Sequence, residues 1–205
     1  MAERGGRCCR QTPVKGILSE AERFHADVIV VGWRGYGAVR RLLMGNVSRG
    51  VVRGARCAVL VVRRQPPRIR RIAIAFDASP HAMRAVALIG SLSAPRGGRV
   101  TLIGVVELVA PTSRAPAVAG IRSAVAREVR RINTDRSSTA MKAPNQAAAE
   151  LNRVGWRART ELRTGEPLRE LIAAVNTSQP HLLVVGARGT SGVRHLLWGA
   201  SQRVF

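Results

Sequence analysis

An 18-residue pattern occurs twice in this chain, and this repeat constrains the fold more than any other feature of the sequence. Residues 28–45 read VIVVGWRGYGAVRRLLMG, and residues 182–199 read LLVVGARGTSGVRHLLWG. The offset between the two segments is 154 residues throughout, and 8 of the 14 positions between their outer glycines are identical. This agreement predicts two copies of one structural unit.

Each copy combines a helix, a short apolar strand and a glycine-containing loop. In the second copy, Pro167 stands at the first position of a helix, where its missing N–H is not needed, and Pro180 marks the end of that helix. The apolar run 181–185 then predicts a short buried strand that leads into the glycine loop. The predicted apolar face of the helix comprises Leu168, Leu171, Ile172 and Val175.

The first copy follows the same order, with Pro13 at the start of its helix and a strand over residues 28–31. Beyond the glycine loop, residues 45–52 predict a helix and residues 58–62 predict one more buried strand. The match runs upstream without a gap as far as Pro13 and its counterpart Pro167. The apolar positions predicted for the first helix are Val14, Ile17, Leu18 and Ala21.

The segment between the two copies predicts further strands and helices. Apolar runs at 72–76 and 100–106 predict two strands, and the segment 156–162 supplies a third. Ser79 with the proline after it predicts the start of a helix. A longer helical stretch precedes the third of these strands and is expected to break near Pro144. Alternating helices and apolar strands predict an α/β fold with a doubly wound, mostly parallel sheet. The positions predicted to face inward are Ala82, Ala85, Val86, Ile89 and Leu92 in the shorter helix and Val118, Ile121, Val125, Val129 and Ile132 in the longer one.

The spacing of the repeats predicts that neither copy is complete. Only twelve residues precede Pro13, whereas Pro167 follows a segment long enough for three strands and two helices. The second copy stops at Phe205, before any counterpart of the strand 58–62. We therefore expect a tandem arrangement with a partial domain (its C-terminal half) over residues 1–62, a linker over 63–68 and a nearly complete domain over 69–205 that lacks its last strand.

The loop that the two copies share has the form expected for phosphate binding. A strand ends in glycine, two residues lead to a second glycine, and nine more lead to a third glycine at the start of a helix. Glycine allows the backbone to approach an anion closely and to adopt positive φ. The first turn of a helix adds unpaired N–H groups and the positive end of the helix dipole.

This pattern resembles the universal stress protein family. The resemblance covers residues 7–62 and 69–205, and it implies a Rossmann-like sheet of the adenine nucleotide alpha hydrolase-like type with the strand order 3-2-1-4-5. The residues that carry it are Gly32, Gly35, Gly45, Ser48, Val52, Ala55 and Cys57 in the first copy, and Gly186, Gly189, Gly199 and Ser201 in the second.

The resemblance also implies a nucleotide site in the second copy. In ATP-binding members of the family, the acidic residue that ends the first strand and a valine near the end of the second hold the nucleoside, and the glycine loop holds the phosphates. Asp77 and Gly186 stand at the ends of strands one and four, which flank the topological switch point where ligands bind. The implied ligand is ATP or a related adenine nucleotide, with Mg²⁺ only as its counter-ion. The implied site residues are Asp77, Ala78, Ser79, Val105, Gly186, Arg188, Gly189, Gly199, Ala200 and Ser201.

Two departures from the family pattern leave alternatives open. Asn46 and Ala200 stand where the family has serine or threonine, although Ser48 and Ser201 keep a hydroxyl close by. The first copy has no first strand of its own, so it is either a degenerate second site or a set of structural turn glycines. Asp77 has a second interpretation, as a residue that caps the helix after it. The degenerate site would comprise Gly32, Gly35, Gly45, Asn46 and Ser48.

The sequence is consistent with three functions of different classes. The first is a stress-response protein that binds an adenine nucleotide as a switch or sensor. The second is a nucleotide-free association module or degenerate family member, in which the strand 58–62 fills the open sheet edge of the second copy, in cis or in a homodimer. The third is a binder of nucleic acid or another polyanion, because the net charge is +22 and 32 of the 34 basic residues are arginines. These arginines are spread over the whole chain, and an arginine-rich composition explains that spread equally well.

The sequence contains no recognisable catalytic set. It has no nucleophile elbow with an ordered serine, histidine and aspartate, and neither of its two lysines follows a glycine loop. The three cysteines are too few and too badly spaced for a disulfide framework or a zinc site. The apolar run 100–110 is too short to span a membrane, and the first residues lack the apolar stretch of a secretory signal. We expect a non-enzymatic, cytoplasmic protein with no metal site and no membrane partner.

Overall fold

A computed structural model of the chain describes residues 12–33, 44–63, 68–108 and 119–187. These residues form five helices and six strands, in two compact units that divide between Gln65 and Pro66. The predictions that fall on Gly35, on Val118 and on the residues from Arg188 onward lie outside the described residues.

The first unit contains a parallel pair of strands and two helices. Its elements are α1 (Pro13–Arg23), β1 (Val28–Gly32), α2 (Asn46–Gly54) and β2 (Ala58–Val62). β1 pairs with β2 in a register that sets Val28 beside Ala58 and continues to the end of both strands. The two predicted helices and two predicted strands of this region are confirmed, with boundaries that differ by no more than two residues.

The two helices of the first unit pack closely because two glycines of α2 leave room for α1. A Cβ at Gly50 would lie 2.7 Å from Cγ2 of Val14, and a Cβ at Gly54 would lie 2.5 Å from Cδ1 of Leu18. Positions four residues apart lie on one face of a helix, so these two glycines form one contact strip. The glycines therefore set the approach of the two helices.

One face of the small sheet in the first unit remains open. Ile29 is buried, whereas its neighbours Val28 and Val30 are 41% and 62% exposed. Side chains alternate between the two faces of a strand, so the exposed pair shares the face opposite to Ile29. The first unit thus covers only half of its apolar sheet surface within the part of the chain that the structure describes.

The second unit is built on a four-stranded parallel sheet with the strand order β5-β4-β3-β6. Counted from β3 as strand one, this order is 3-2-1-4, which confirms the predicted doubly wound sheet for its first four strands. Among the described residues, β6 has a strand neighbour on one side only. The elements are β3 (Arg71–Ala75), α3 (Pro80–Gly90), β4 (Arg99–Val106), α4 (Ala119–Arg153), β5 (Arg157–Thr164), α5 (Pro167–Ser178) and β6 (Leu182–Val184).

Both faces of this sheet carry an apolar core, as expected for parallel strands. On one face, Ile72, Ile74 and Leu102 pack with residues of α3 and α4. On the other face, Ala73 and Ile103 pack with residues of α5. The strand residues of the two clusters alternate along β3 and β4, so each strand is buried on both sides.

Helix α4 departs from the sequence-based expectation in two respects. It continues unbroken through Pro144, which is buried, so the predicted break is wrong. The predicted inward position Val125 is also wrong, because this residue is 36% exposed. The helix is held by its last turns, where Ala147, Ala148 and Leu151 are buried in the core. This burial outweighs the backbone hydrogen bond that proline cannot donate.

The remaining helix predictions hold at their start points. Ser79 caps α3 by accepting a hydrogen bond from the backbone N–H of Ala82, as predicted. Glu166 caps α5, since its carboxylate accepts from two backbone N–H groups of the first turn. The predicted apolar face of α5 is only partly correct, because Ile172 is exposed while Leu171 is buried.

Candidate functional site

The candidate site lies where the connections on either side of β3 diverge. The chain leaves β3 through α3 towards β4, whereas β6 pairs with β3 on its other side. Carboxyl-terminal ends of parallel strands form a crevice at such a switch point, and ligands of doubly wound folds bind there. Asp77 follows β3 and Gly186 follows β6, so both stand at this edge.

A tight turn shapes the end of β3. The backbone N–H of Ser79 donates to Oδ1 of Asp77 at 3.0 Å, and Ala78 between them has a φ of +58°. A non-glycine residue in this left-handed region is uncommon and is typical of sites where other interactions fix the backbone. The bond holds the Asp77 carboxylate in a half-buried position beside the start of α3.

Asp77 is not the N-cap of α3. That position belongs to Ser79, which is 4% exposed and whose Oγ accepts a hydrogen bond from the Ala82 N–H at 3.1 Å. Asp77 stands two residues earlier and contacts the backbone of the cap residue instead. The interpretation of Asp77 as a simple helix cap is therefore wrong in its geometry, because a serine already fills that role.

Gly186 approaches the first turn of α3 so closely that a side chain there would crowd it. A Cβ at this position would lie 3.0 Å from both the carbonyl carbon and the Cβ of His81, and 3.1 Å from the backbone nitrogen of Ala82. The obstacles are mainly backbone atoms, which cannot rotate away. The end of β6 is thereby brought against the same helix start that the Asp77 turn forms.

Val105 lies on the opposite side of the Asp77 turn, on β4. The register pairs Ala75 with Ile103, and the backbone N–H of Phe76 donates to the Ile103 carbonyl at 2.9 Å. Asp77 and Val105 each stand two residues beyond that pair, so they are level with each other. The structure thus brings together five of the ten predicted nucleotide-site residues, namely Asp77, Ala78, Ser79, Val105 and Gly186.

The structure also shows a charged cluster near Val105 that the sequence did not single out. Arg163, the register partner of Val105, contacts Glu161 at 2.9 Å and Glu170 at 3.0 Å. These hydrogen bonds, that to Glu161 first, raise the pKa of the Arg163 guanidinium above its usual range. Glu161 and Arg163 stand two residues apart on β5 and therefore share a face of the sheet. This spacing in the sequence could have revealed the pair.

Several polar groups in the described part of the loop of the first unit are bonded within the fold. Ser48 is buried, and its hydroxyl donates to the Gly32 carbonyl at 2.6 Å. The Gly45 N–H donates to the Trp33 carbonyl at 2.9 Å, which ties the end of the loop back to its start. Asn46 accepts a hydrogen bond from the Arg49 side chain at 3.0 Å. The first two contacts join α2 and the start of that helix to the end of β1, and the third lies within α2.

A groove of 460 Å³ lies in the first unit but does not include any predicted site residue. It is formed by the carboxyl-terminal ends of α1 and α2, and Arg56 on its rim lies 3.6 Å from Glu22. The groove is at the amino-terminal end of the strands, away from the glycine loop. The predicted nucleotide-site residues therefore do not line this groove.

The described residues hold neither a cluster of metal ligands nor a helix that could cross a membrane. They contain no group of three or more histidine, cysteine, aspartate or glutamate residues placed to hold a metal ion. None of the described helices combines the length and apolar character needed to cross a membrane.

Comparison with known proteins identifies the family. The family model described as the universal stress protein family matches residues 7–63 and 68–203. A universal stress protein of Methanocaldococcus jannaschii is 40% identical over 52 residues, which cover 25% of this chain and 31% of that protein. A universal stress protein of Thermus aquaticus is 49% identical over 51 residues, which cover 25% of this chain and 37% of that protein. These matches span about a third of the length of the curated relatives.

A solved universal stress protein of Archaeoglobus fulgidus has the same fold. The match has a TM-score of 0.55 at 21% sequence identity and covers 92% of this chain and 59% of that one. The family model covers nearly the whole chain, with one matched segment on each side of the division between the two units. The chain belongs to the universal stress protein family.

Proposed function

We propose that residues 69–205 bind ATP or a related adenine nucleotide, and that the occupied state acts as a switch or sensor. The observation that carries this proposal is the contact between Gly186 and the first turn of α3. It places the start of the glycine loop beside the turn that holds Asp77. A site that fixes both a carboxylate and a glycine-rich backbone at a topological switch point suits a nucleotide.

Each group has a role that follows from its chemistry. The Asp77 carboxylate accepts hydrogen bonds from ribose hydroxyls, and the backbone near Val105 borders the base. Gly186 begins the phosphate loop, where a backbone without side chains allows N–H groups to reach the anion. Mg²⁺ enters only as the counter-ion of the nucleotide. The remaining phosphate contacts are proposed for Arg188, Gly189, Gly199, Ala200 and Ser201.

The proposed role is binding without turnover, in a cytoplasmic protein. Hydrolysis needs a residue that activates or orients the attacking water close to the transferred phosphate. The side chains proposed for the phosphate end are glycine, alanine, serine and arginine, none of which is a general base at neutral pH. Bound nucleotide would not be hydrolysed, so the occupied fraction of the protein would report the nucleotide concentration.

For the first unit we propose a structural role in a tandem arrangement, with a partial domain over residues 1–62 and a linker over 63–68. The hydroxyl of Ser48, which stands near the position of a phosphate donor, is already bonded to the Gly32 carbonyl. A group engaged inside the fold is a poor donor to a ligand, because binding would have to break the existing bond. Gly32, Gly45 and Asn46 accordingly have a structural role in the loop.

Titration of the full chain with ATP in a calorimeter tests the proposal. Saturable binding is expected for the wild type, and both Asp77→Ala and Gly189→Val are expected to weaken it at least tenfold. Ser48→Ala is the matched control and is expected to bind ATP like the wild type. A flat isotherm for wild-type protein with an intact circular dichroism melt would contradict the proposal.

A second candidate is association through the first unit. The exposed valines Val28 and Val30 on one face of the small sheet favour it, because contiguous exposed apolar surface marks interaction sites. In this alternative, residues 58–62 pair with the side of β6 that has no strand neighbour among the described residues, in cis or in a homodimer. Deleting residues 1–62 should then lower the melting temperature of the remainder or make it aggregate. Unchanged melting of a monodisperse product would count against association.

A further inference from the structure

Three neighbouring strands of the second unit begin with an arginine, and the strand register sets these arginines side by side. Arg71 on β3 pairs with Arg99 on β4, and Arg99 pairs with Arg157 on β5. Adjacent strands lie about 4.8 Å apart, so the three Cα atoms span roughly 10 Å. These three arginines are far apart in the sequence but side by side in the fold.

A fourth arginine extends this group on the same face of the sheet. Arg159 stands two residues beyond Arg157 on β5, and its Nε donates to Oγ1 of Thr101 at 3.3 Å. All four side chains are exposed. We call this group the arginine row, defined as Arg71, Arg99, Arg157 and Arg159.

The arginine row lacks acidic compensation among the described residues. Like charges directly opposite each other on adjacent strands are destabilising. The ion pairs of the described residues do not include any member of the row. The Arg71 guanidinium donates to a backbone carbonyl, that of Gln179, at 2.9 and 3.1 Å. Arg163, on the same strand as Arg157, contacts two carboxylates.

The surroundings of the row indicate the kind of anion it fits. Guanidinium groups bind phosphate oxygens in a bidentate manner, and an exposed row on a sheet surface suits an extended ligand better than a small, enclosed one. The nearest aromatic residue in sequence, Trp156, is buried and its Nε1 donates to the Ile89 carbonyl. It therefore offers no platform on which an unpaired base could stack, and single-stranded binding relies on such stacking.

We propose that the arginine row binds the sugar–phosphate backbone of duplex nucleic acid without reading its sequence. The row lies at the amino-terminal ends of the strands, whereas Asp77 and Gly186 lie beyond their carboxyl-terminal ends. The two surfaces lie at opposite ends of the strands, so this inference does not depend on nucleotide binding. Bound phosphates would relieve the repulsion within the row.

Binding of the full chain to a 20-base-pair DNA duplex, followed by fluorescence anisotropy over a range of salt concentrations, tests the proposal. The row variant carries Arg99→Gln, Arg157→Gln and Arg159→Gln, and it keeps Arg71 for its contact with α5. The control variant carries Arg127→Gln, Arg130→Gln and Arg136→Gln on the exposed side of α4. Both variants lose three positive charges, so a general effect of net charge is the same in each.

The row variant is expected to lose at least tenfold more affinity than the control. Its slope of log K against log salt should fall by about 0.9 for each phosphate contact that is lost, or roughly 2.7 for three. Without DNA it should melt no lower than the wild type, because repulsion has been removed. Equal losses in the two variants would overturn the proposal. Tighter binding to inorganic polyphosphate than to the duplex, lost in the row variant, would also overturn it.

Discussion

The glycine that ends the repeated strand serves different purposes in the two units. In the first unit, the Gly32 carbonyl accepts a hydrogen bond from Ser48, and the loop is closed on itself by a bond from Gly45 to Trp33. In the second, Gly186 lies against His81 at the start of a helix that follows a different strand. The local sequences are similar, but the elements around the two glycines differ.

In our proposal, the repeated motif forms a site only where other elements of the fold face it. The second unit has β3 beside β6, and with it a turn that presents Asp77. The first unit has only β1 and β2 among its described strands, and the face that carries Val28 and Val30 is open. The following predictions are ways to break or sharpen this contrast.

The largest effect is expected from Gly186→Ala. Its Cβ would crowd the backbone of His81 and Ala82, so unfolding should become easier by about 1–3 kcal/mol and ATP affinity should fall. Gly90→Ala is the control, because its Cβ would meet Cδ2 of Leu151 at an ordinary 3.6 Å. Urea unfolding monitored by circular dichroism measures both. Equal stability of the two variants would show that the β6 end is not tightly held.

A smaller effect is expected from Ser79→Ala, which removes the cap of α3. The loss of the bond to the Ala82 N–H should cost about 0.5–2 kcal/mol of stability. Ser79→Asn keeps a capping side chain and should recover most of that loss. Chemical denaturation of the three proteins makes the comparison. Failure of asparagine to recover stability would mean that Ser79 acts through something other than the cap.

Ser48→Ala is expected to destabilise the first unit by about 0.5–1.5 kcal/mol, because one buried hydrogen bond to Gly32 is lost. ATP binding should be unchanged. Hydrogen exchange of the α2 amides reports the first effect, and an ATP titration reports the second. A fall in ATP affinity as large as that of Asp77→Ala would remove the contrast between the two units.

The smallest effects concern the contact between α1 and α2. Gly50→Ala should lower stability by up to about 1 kcal/mol, because overpacking against the stiff side chain of Val14 exceeds the gain in helix propensity. Gly54→Ala faces the flexible end of Leu18 and should be close to neutral. Thermal melts distinguish them. A Gly50→Ala protein that is restored by Val14→Ala would confirm the steric cause.

Much of the fold could be predicted from sequence because its signals are local. Short apolar runs bounded by glycine and proline located the strands, and Ser79 with Pro80 located the start of α3. The order 3-2-1-4 followed from the family resemblance. The path of α4 could not be predicted, since proline normally ends a helix and only the burial of Leu151 and its neighbours keeps this one intact.

The candidate site was harder to predict because it depends on contacts between distant segments. The sequence named Asp77 and Gly186, but it did not show that Gly186 would lie against His81. Nor did it show that Ala78 adopts a positive φ, which glycine or asparagine would have signalled. The arginine row depends on the strand register, although an arginine near the start of each of three strands was a signal that could have been used.

Photoaffinity labelling of the full chain with azido-ATP, followed by peptide mapping, tests the central claim most directly. The label is expected in peptides of the second unit, around Asp77, Val105 or Gly186, and excess ATP should prevent it. Asp77→Ala should reduce labelling, whereas Ser48→Ala should not. Competed label within residues 12–63 would contradict the claim that only the second copy carries a nucleotide site.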